Sequence, residues 1–209
     1  MVMFKKSKDK ANTSKSANKK LVAARSITPE DHRIFADEII RSCRKLKVVL
    51  FAGAGIETLP LKIPVNTAIE LSKAGKKCLL VDTDTKRNAV AAAFDLETDE
   101  HSKFFLPHPH ATSFDNLKIL PACFLSSQMF VSINSLIESA VKKYDFILIN
   151  APFMDGHIDR IPIASSSQSA FIFTANDSQS LRLCDLLSQY GCKVIFSSRL
   201  TRPDADPNG

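Results

Sequence analysis

The sequence predicts an α/β fold, a mostly parallel, doubly wound sheet of about six strands with helices on both faces. Three observations point there. From Pro29 onward, short apolar β-rich runs alternate with helical patterns, as in sheets whose parallel strands are joined by crossover helices. The strand runs are continuously apolar instead of alternating, which suits strands covered on both faces. Glycines also fall where such a chain must turn: Gly75 and Gly191 after helices, and Gly53, Gly55 and Gly156 after strands.

The elements follow in order. A helical pattern near 30–44 precedes the strand Lys47–Ala52 (KVVLFA). The loop through Gly53 and Gly55 leads to a helix near 64–74, where Pro64 suits a first turn because its missing N–H would have no helical partner there. Gly75 ends that helix, and Cys78–Thr83 (CLLVDT) is the next strand. A helix near 86–94, an irregular loop from Leu96 to Pro109 and the strand Leu117–Leu120 (LKIL) come next. A helix near 127–143 leads to the strand Asp145–Asn150 (DFILIN); Ala170–Thr174 (AFIFT), a helix near 178–190 and Lys193–Phe196 (KVIF) complete the sheet. The glycines that follow strands mark the carboxyl edge, where open α/β sheets bind ligands.

Residues 29–200 are assigned to this domain, 1–28 to a basic N-terminal tail and 201–209 to a short Pro/Asp-rich tail. The net charge of +6 is unevenly divided: residues 1–25 carry eight basic side chains against Asp9 alone, and the remainder holds 20 basic and 21 acidic residues. A Lys/Ser/Asn/Ala segment buries too little apolar area to repay chain entropy and is expected to be disordered. It is either simply solvated or drawn to an anionic membrane surface, where each lysine contributes about 1 kcal/mol at best. No aromatic interleaving supports nucleic acid as a partner. The nearly uncharged apolar stretch from Phe146 to Met154 is under half of the roughly 20 residues a spanning helix needs, and no apolar segment follows the basic N-terminus as in a secretion signal. The expected location is cytoplasmic, with peripheral association at the inner membrane through the tail. Five scattered cysteines without a CxxC pair read as reduced core residues. His101, His108 and His110 lack the spacing of a helical metal pair, so no metal site is expected.

Three segments together resemble the deviant Walker P-loop ATPases, and most nearly the bacterial tyrosine autokinases of polysaccharide synthesis. AGKKCLLVDTDTKRN is similar to the family's second strand and Walker A′ motif, with Asp82 and Asp84 at the acidic positions and Lys86 and Arg87 at the basic pair. LKILPA, a helix and KYDFILINAPF are similar to the "LPAG" loop and the Walker B strand ending in Asp-x-Pro-Pro. SAFIFTAN, a helix, Gly191 and KVIF look like the closing part of the sheet. The resemblance implies a P-loop NTPase-like fold with a nucleotide site at Gly53, Gly55, Asp82 and Asp84.

The departures bear on chemistry. A phosphate loop needs glycine N–H groups around the phosphates, a lysine at the β- and γ-phosphates and a Ser/Thr hydroxyl for Mg²⁺. In AGAGIETLPLKIPVN the lysine position falls on Pro60 and the hydroxyl positions on Leu61 and Lys62. Asn150 stands where the family has its Walker B acid, and an amide is a weaker partner for a divalent cation than a carboxylate. Phe153 replaces the motif's second proline. Asp82 either survives from a nucleotide site or simply caps the next helix. The tyrosine cluster of active kinases is missing, since the chain has only Tyr144 and Tyr190. Glu38, Arg41 and Arg44 match the Glu-x-x-Arg-x-x-Arg pattern through which these kinases form rings, although such charges also occur on solvated helix faces.

The expectation is therefore a catalytically silent relative, with no catalytic residue and no cofactor, acting as a co-polymerase or regulatory subunit in exopolysaccharide biosynthesis and export. Its partners would be the inner-membrane chain-length determinant and further copies of itself or of an active kinase. The alternatives are a residual nucleotide binder using Lys62, Lys86 or Arg87 with ATP and Mg²⁺, and a positioning ATPase of the chromosome-partitioning type.

Overall fold

The computed structural model describes residues 21–22, 28–43, 46–96, 108–122, 133–154 and 161–199. Among them eight strands form one sheet: β1 (Leu21–Val22), β2 (Val48–Gly53), β3 (Cys78–Asp82), β4 (His110–Ala111), β5 (Leu117–Leu120), β6 (Phe146–Ala151), β7 (Ser169–Thr174) and β8 (Lys193–Arg199). Their spatial order is β1-β8-β7-β2-β6-β3-β5-β4. Every pairing is parallel except β4 against β5. The six expected strands are all present; the two additional ones are two-residue edge strands, too short to carry a periodic signal.

Helices α1 (Pro29–Ser42), α2 (Lys62–Lys73), α3 (Ala89–Ala93), α4 (Ile133–Ala140), α5 (Ile161–Ser166) and α6 (Asp177–Gln189) cover the sheet. One layer joins Phe35 and Ile39 of α1, Ile63 and Leu71 of α2 and Val90 of α3 to Val49, Phe51, Leu80 and Phe171. The other joins Ile133 and Ile137 of α4, Ile163 of α5 and Leu183 and Leu187 of α6 to Leu50, Val81, Ile149 and Ile172. Alternate residues of each strand thus serve opposite layers, which is why β2, β3, β6 and β7 are buried along their whole length.

Local chemistry sets the helix ends. Asp31 accepts the Thr28 N–H at 2.7 Å to start α1, and Asn176 Oδ1 accepts the Gln179 N–H at 3.0 Å to start α6. α2 and α6 both close in the same way: Gly75 and Gly191 adopt φ of 75° and 73°, and Lys76 and Cys192 donate back to the carbonyls of Leu71 and Leu187. α2 begins two residues earlier than Pro64 suggests, so this proline is its third residue, still among positions whose N–H has no helical partner. The expected helix near 86–94 shortens to α3, because Asn88 adopts a left-handed φ of 48° in front of it. α5 was not expected from the sequence, and the expected start of α4 lies outside the described residues.

Cys43, Cys78, Cys184 and Cys192 are buried and unbridged. Burial pushes the thiols of Cys78 and Cys192 up to about 12, where little thiolate exists to react. Cys123 and the two tails, apart from Leu21–Val22 and Thr28, lie outside the described residues. No described helix is long and apolar enough to cross a membrane.

Candidate functional site at the carboxyl edge

β2 lies between β6 and β7, while the chain leaves it through α2 to reach β3. At such a change of direction the carboxyl ends of the strands frame a crevice. Gly53 ends β2, Asp82 ends β3 and Asn150 is the penultimate residue of β6, directly opposite Asp82 in register. The strands therefore bring Gly53, Gly55, Asp82 and Asp84 to one edge, together with Asn150.

The loop after β2 folds onto itself. Thr58 and Leu59 both donate their N–H to the Gly55 carbonyl at 3.2 Å, and the Thr58 hydroxyl bridges the Ala54 N–H and the Gly55 carbonyl at 3.0 and 2.8 Å. The Leu59 side chain, 1% exposed, belongs to the core layer formed with α1 and α2. A Cβ placed on Gly53 would stand 2.7 Å from the Leu59 Cβ and 3.0 Å from the Pro152 carbonyl oxygen. Gly53 is needed here for close packing of its own loop, and two N–H groups of this loop are turned inward on Gly55. The loop after β6 closes over the same place: Phe153 bridges Ala54, and the Met154 N–H donates to the Gly53 carbonyl at 2.9 Å. Met154 is fully buried, and the Lys86 ammonium lies 6.0 Å from the Phe153 ring centroid.

Asp82 and Asp84, both buried, have separate tasks. Asn150 Nδ2 donates to Asp82 Oδ1 at 2.8 Å, the Asp84 N–H donates to the same oxygen at 3.1 Å, and the Val90 N–H in the first turn of α3 reaches Asp82 Oδ2 at 3.4 Å. Burial pushes the Asp82 carboxyl above its ordinary range, with the neighbouring Asp84 adding to the push; the three donors act in the opposite direction. Asp84 pairs through Oδ2 with Arg87, and its Oδ1 has no hydrogen-bond partner, nor has Oδ1 of Asn150. Thr83 fastens β3 to β6 by donating its hydroxyl to the Asn150 carbonyl at 2.8 Å. Thr58 and Thr83 are the contributors that motif matching passes over; Leu59, with Ile56, is one of the apolar loop residues that the sequence offers as a filling for the crevice.

Glu38 and Arg41 lie on α1, paired with each other, with the Ser42 hydroxyl also on Glu38; Arg44 lies outside the described residues, as does Gly156. His108 and His110 have ring centroids 4.7 Å apart, and among the described residues no group of three or more His, Cys, Asp or Glu side chains is placed to hold a metal ion.

A family model described as ATPase MipZ matches residues 51–194, more than half of the chain. No curated protein sequence matches it. Among solved structures, the chimerical protein CapA2B2 superposes with a TM-score of 0.70 at 16% identity, over 84% of this chain and 85% of that one. The kinase domain of the Escherichia coli tyrosine kinase Etk gives 0.68 at 15% identity, over 85% and 78%. The Pyrococcus furiosus cell division ATPase MinD gives 0.60 at 19% identity, over 77% and 74%. At these identities the likeness is one of fold.

Proposed function

This chain belongs to the ATPase MipZ family, and we propose that it is a catalytically silent member, a cytoplasmic regulatory subunit that docks on the inner-membrane chain-length determinant of an exopolysaccharide export system. The observation that carries the silence is the packing of Leu59 against Gly53 beneath the Pro152–Met154 loop. The residues at this edge do not fit a magnesium-bound triphosphate. Pro60, with no N–H to donate, stands at the lysine position, Leu61 and Lys62 stand at the hydroxyl positions, and Asn150 aims an amide N–H at the buried carboxylate a cation would need. Support for the pathway comes from the fold shared with tyrosine kinase domains. Activity would then reside in binding: the domain contributes shape and surface to an assembly.

Affinity capture from membranes of the native host, with the recovered proteins identified by mass spectrometry, tests this reading. Recovery of a polysaccharide-export component is expected, and its absence from repeated captures would overturn the assignment. A second reading, a positioning protein of the cell-division type, is favoured by the family match and by the fold shared with MinD. Division-site or chromosome-bound partners in the same capture would select it.

A further inference from the structure

We propose that the amino edge of the sheet, opposite the crevice, is a docking face for an anionic lipid membrane. Lys76 and Lys77 precede β3, Lys142 and Lys143 precede β6, and Lys193 opens β8; all are exposed except the half-buried Lys76. The order β8-β7-β2-β6-β3 sets these lysine-bearing ends along one line. At about 4.8 Å between neighbouring strands the line is about 19 Å long. Lys47, in its middle, turns inward and donates its ammonium to the carbonyls of Val141 and Tyr144 at 2.8 and 3.3 Å, fixing the turn that carries Lys142 and Lys143. Among the described residues that lead into these strands and the neighbouring β5, Asp115 and Asp145 are exposed carboxylates, and Asp145 accepts the Lys77 N–H at 2.8 Å. The face is thus positive, although the chain beyond residue 25 has one more acidic than basic side chain.

Two features select lipid as the occupant. Among the described residues the charges on this line are lysines, hydrated point charges suited to many mobile headgroups, without the arginine forks or open aromatic faces that nucleic-acid sites use. Tyr144 and Tyr190, the aromatic residues beside it, are packed against the core. In addition, seven more lysines lie in residues 1–20, ahead of β1; Leu21 stands opposite Ser197, four residues along β8 from Lys193, about 13 Å that a few residues of chain can span. Docking in this orientation turns the crevice away from the leaflet.

The test is cosedimentation of the full chain with vesicles of phosphatidylcholine alone, or containing one part in three phosphatidylglycerol, across a salt series. A first variant carries Lys→Gln at 76, 77, 142, 143 and 193. A control removes the same charge elsewhere, with Arg33→Gln, Lys62→Gln, Lys86→Gln, Arg182→Gln and Arg199→Gln. At about 1 kcal/mol, or roughly fivefold, per lysine, the first variant should bind anionic vesicles at least about 100-fold more weakly, and the control within about tenfold of the parent. Should the first variant melt early, the pair Lys142→Gln and Lys143→Gln gives the same reading at about tenfold or more. Equal losses in both variants, no loss in the first, or absence of parent binding to anionic vesicles would overturn the proposal. So would duplex DNA binding at the same salt without vesicle binding, which would assign the face to nucleic acid.

Discussion

Replacing Asn150 by Asp restores the acidic side chain at the Walker B position, and the geometry around it predicts a loss of stability. Asn150 Nδ2 now donates to Asp82 Oδ1 across 2.8 Å, with both side chains buried. A carboxyl in its place faces another carboxylate, and the pair can persist at neutral pH only by holding a proton. Keeping a group of ordinary value near 3.8 protonated at pH 7 costs about 4 kcal/mol. The shared proton restores one hydrogen bond, and burial has already raised Asp82, so the net loss is about 2–4 kcal/mol, or on the order of 10 °C in melting temperature. The new carboxyl has its folded-state pKa raised above its unfolded value. The penalty is therefore absent below about pH 4 and grows as pH rises, at up to about 1.4 kcal/mol per pH unit. Thermal denaturation of Asn150→Asp and its parent over this pH range measures it. Millimolar Mg²⁺ should leave the loss in place, because both side chains are buried. A variant as stable as its parent at neutral pH, or one rescued by Mg²⁺, would refute the reasoning.

Three further outcomes follow from the same geometry. Gly53→Ala should cost about 1–3 kcal/mol in denaturant melts, and Leu59→Ala should not relieve it, since the 2.7 Å approach is to the Leu59 Cβ itself; Leu59→Gly should relieve part of it. Asp82→Ala leaves the Asn150 amide and the N–H groups of Asp84 and Val90 without their acceptor, a loss of about 2 kcal/mol, with faster amide exchange expected at Val90. His32 is buried on α1 with Nδ1 unpartnered, and burial first, then Lys62, hold its pKa below the ordinary 6.5. The unfolded chain therefore takes up this proton first, and as pH falls below about 6.5 the parent should lose stability that a His32→Leu variant keeps, as comparison of their melting curves would register.

Much of the fold was legible because burial on both faces writes itself into sequence as unbroken apolar runs: KVVLFA became β2 and DFILIN became β6, each shifted by one residue. Gly75 and Gly191 were equally readable, since a positive φ after a helix needs glycine. α5 escaped because six residues, IPIASS, are too few for a 3.6-residue repeat; Pro162 in its first turn was the available signal. β1 and β4 exist only through their partners β8 and β5. At the candidate site, the substitutions at Pro60 and Asn150 were visible in sequence. Their consequences depend on register: Asp82 opposite Asn150 and Ala54 bridged to Phe153 arise from strands far apart in the chain. The contact of Asp82 Oδ2 with the Val90 N–H, at 3.4 Å in the first turn of α3, is likewise set by the fold and not by spacing.

The claim that this edge has exchanged nucleotide binding for internal packing is tested most directly by thermal denaturation with millimolar Mg²⁺-ATP and Mg²⁺-ADP. A ligand at about 100 times its Kd would stabilise the chain by roughly 2.7 kcal/mol and raise the midpoint by several degrees. The account predicts the same midpoint with and without nucleotide. A shift of several degrees that disappears in Asp82→Ala would contradict it, and would require the Leu59 loop to open and the crevice to be a working nucleotide site.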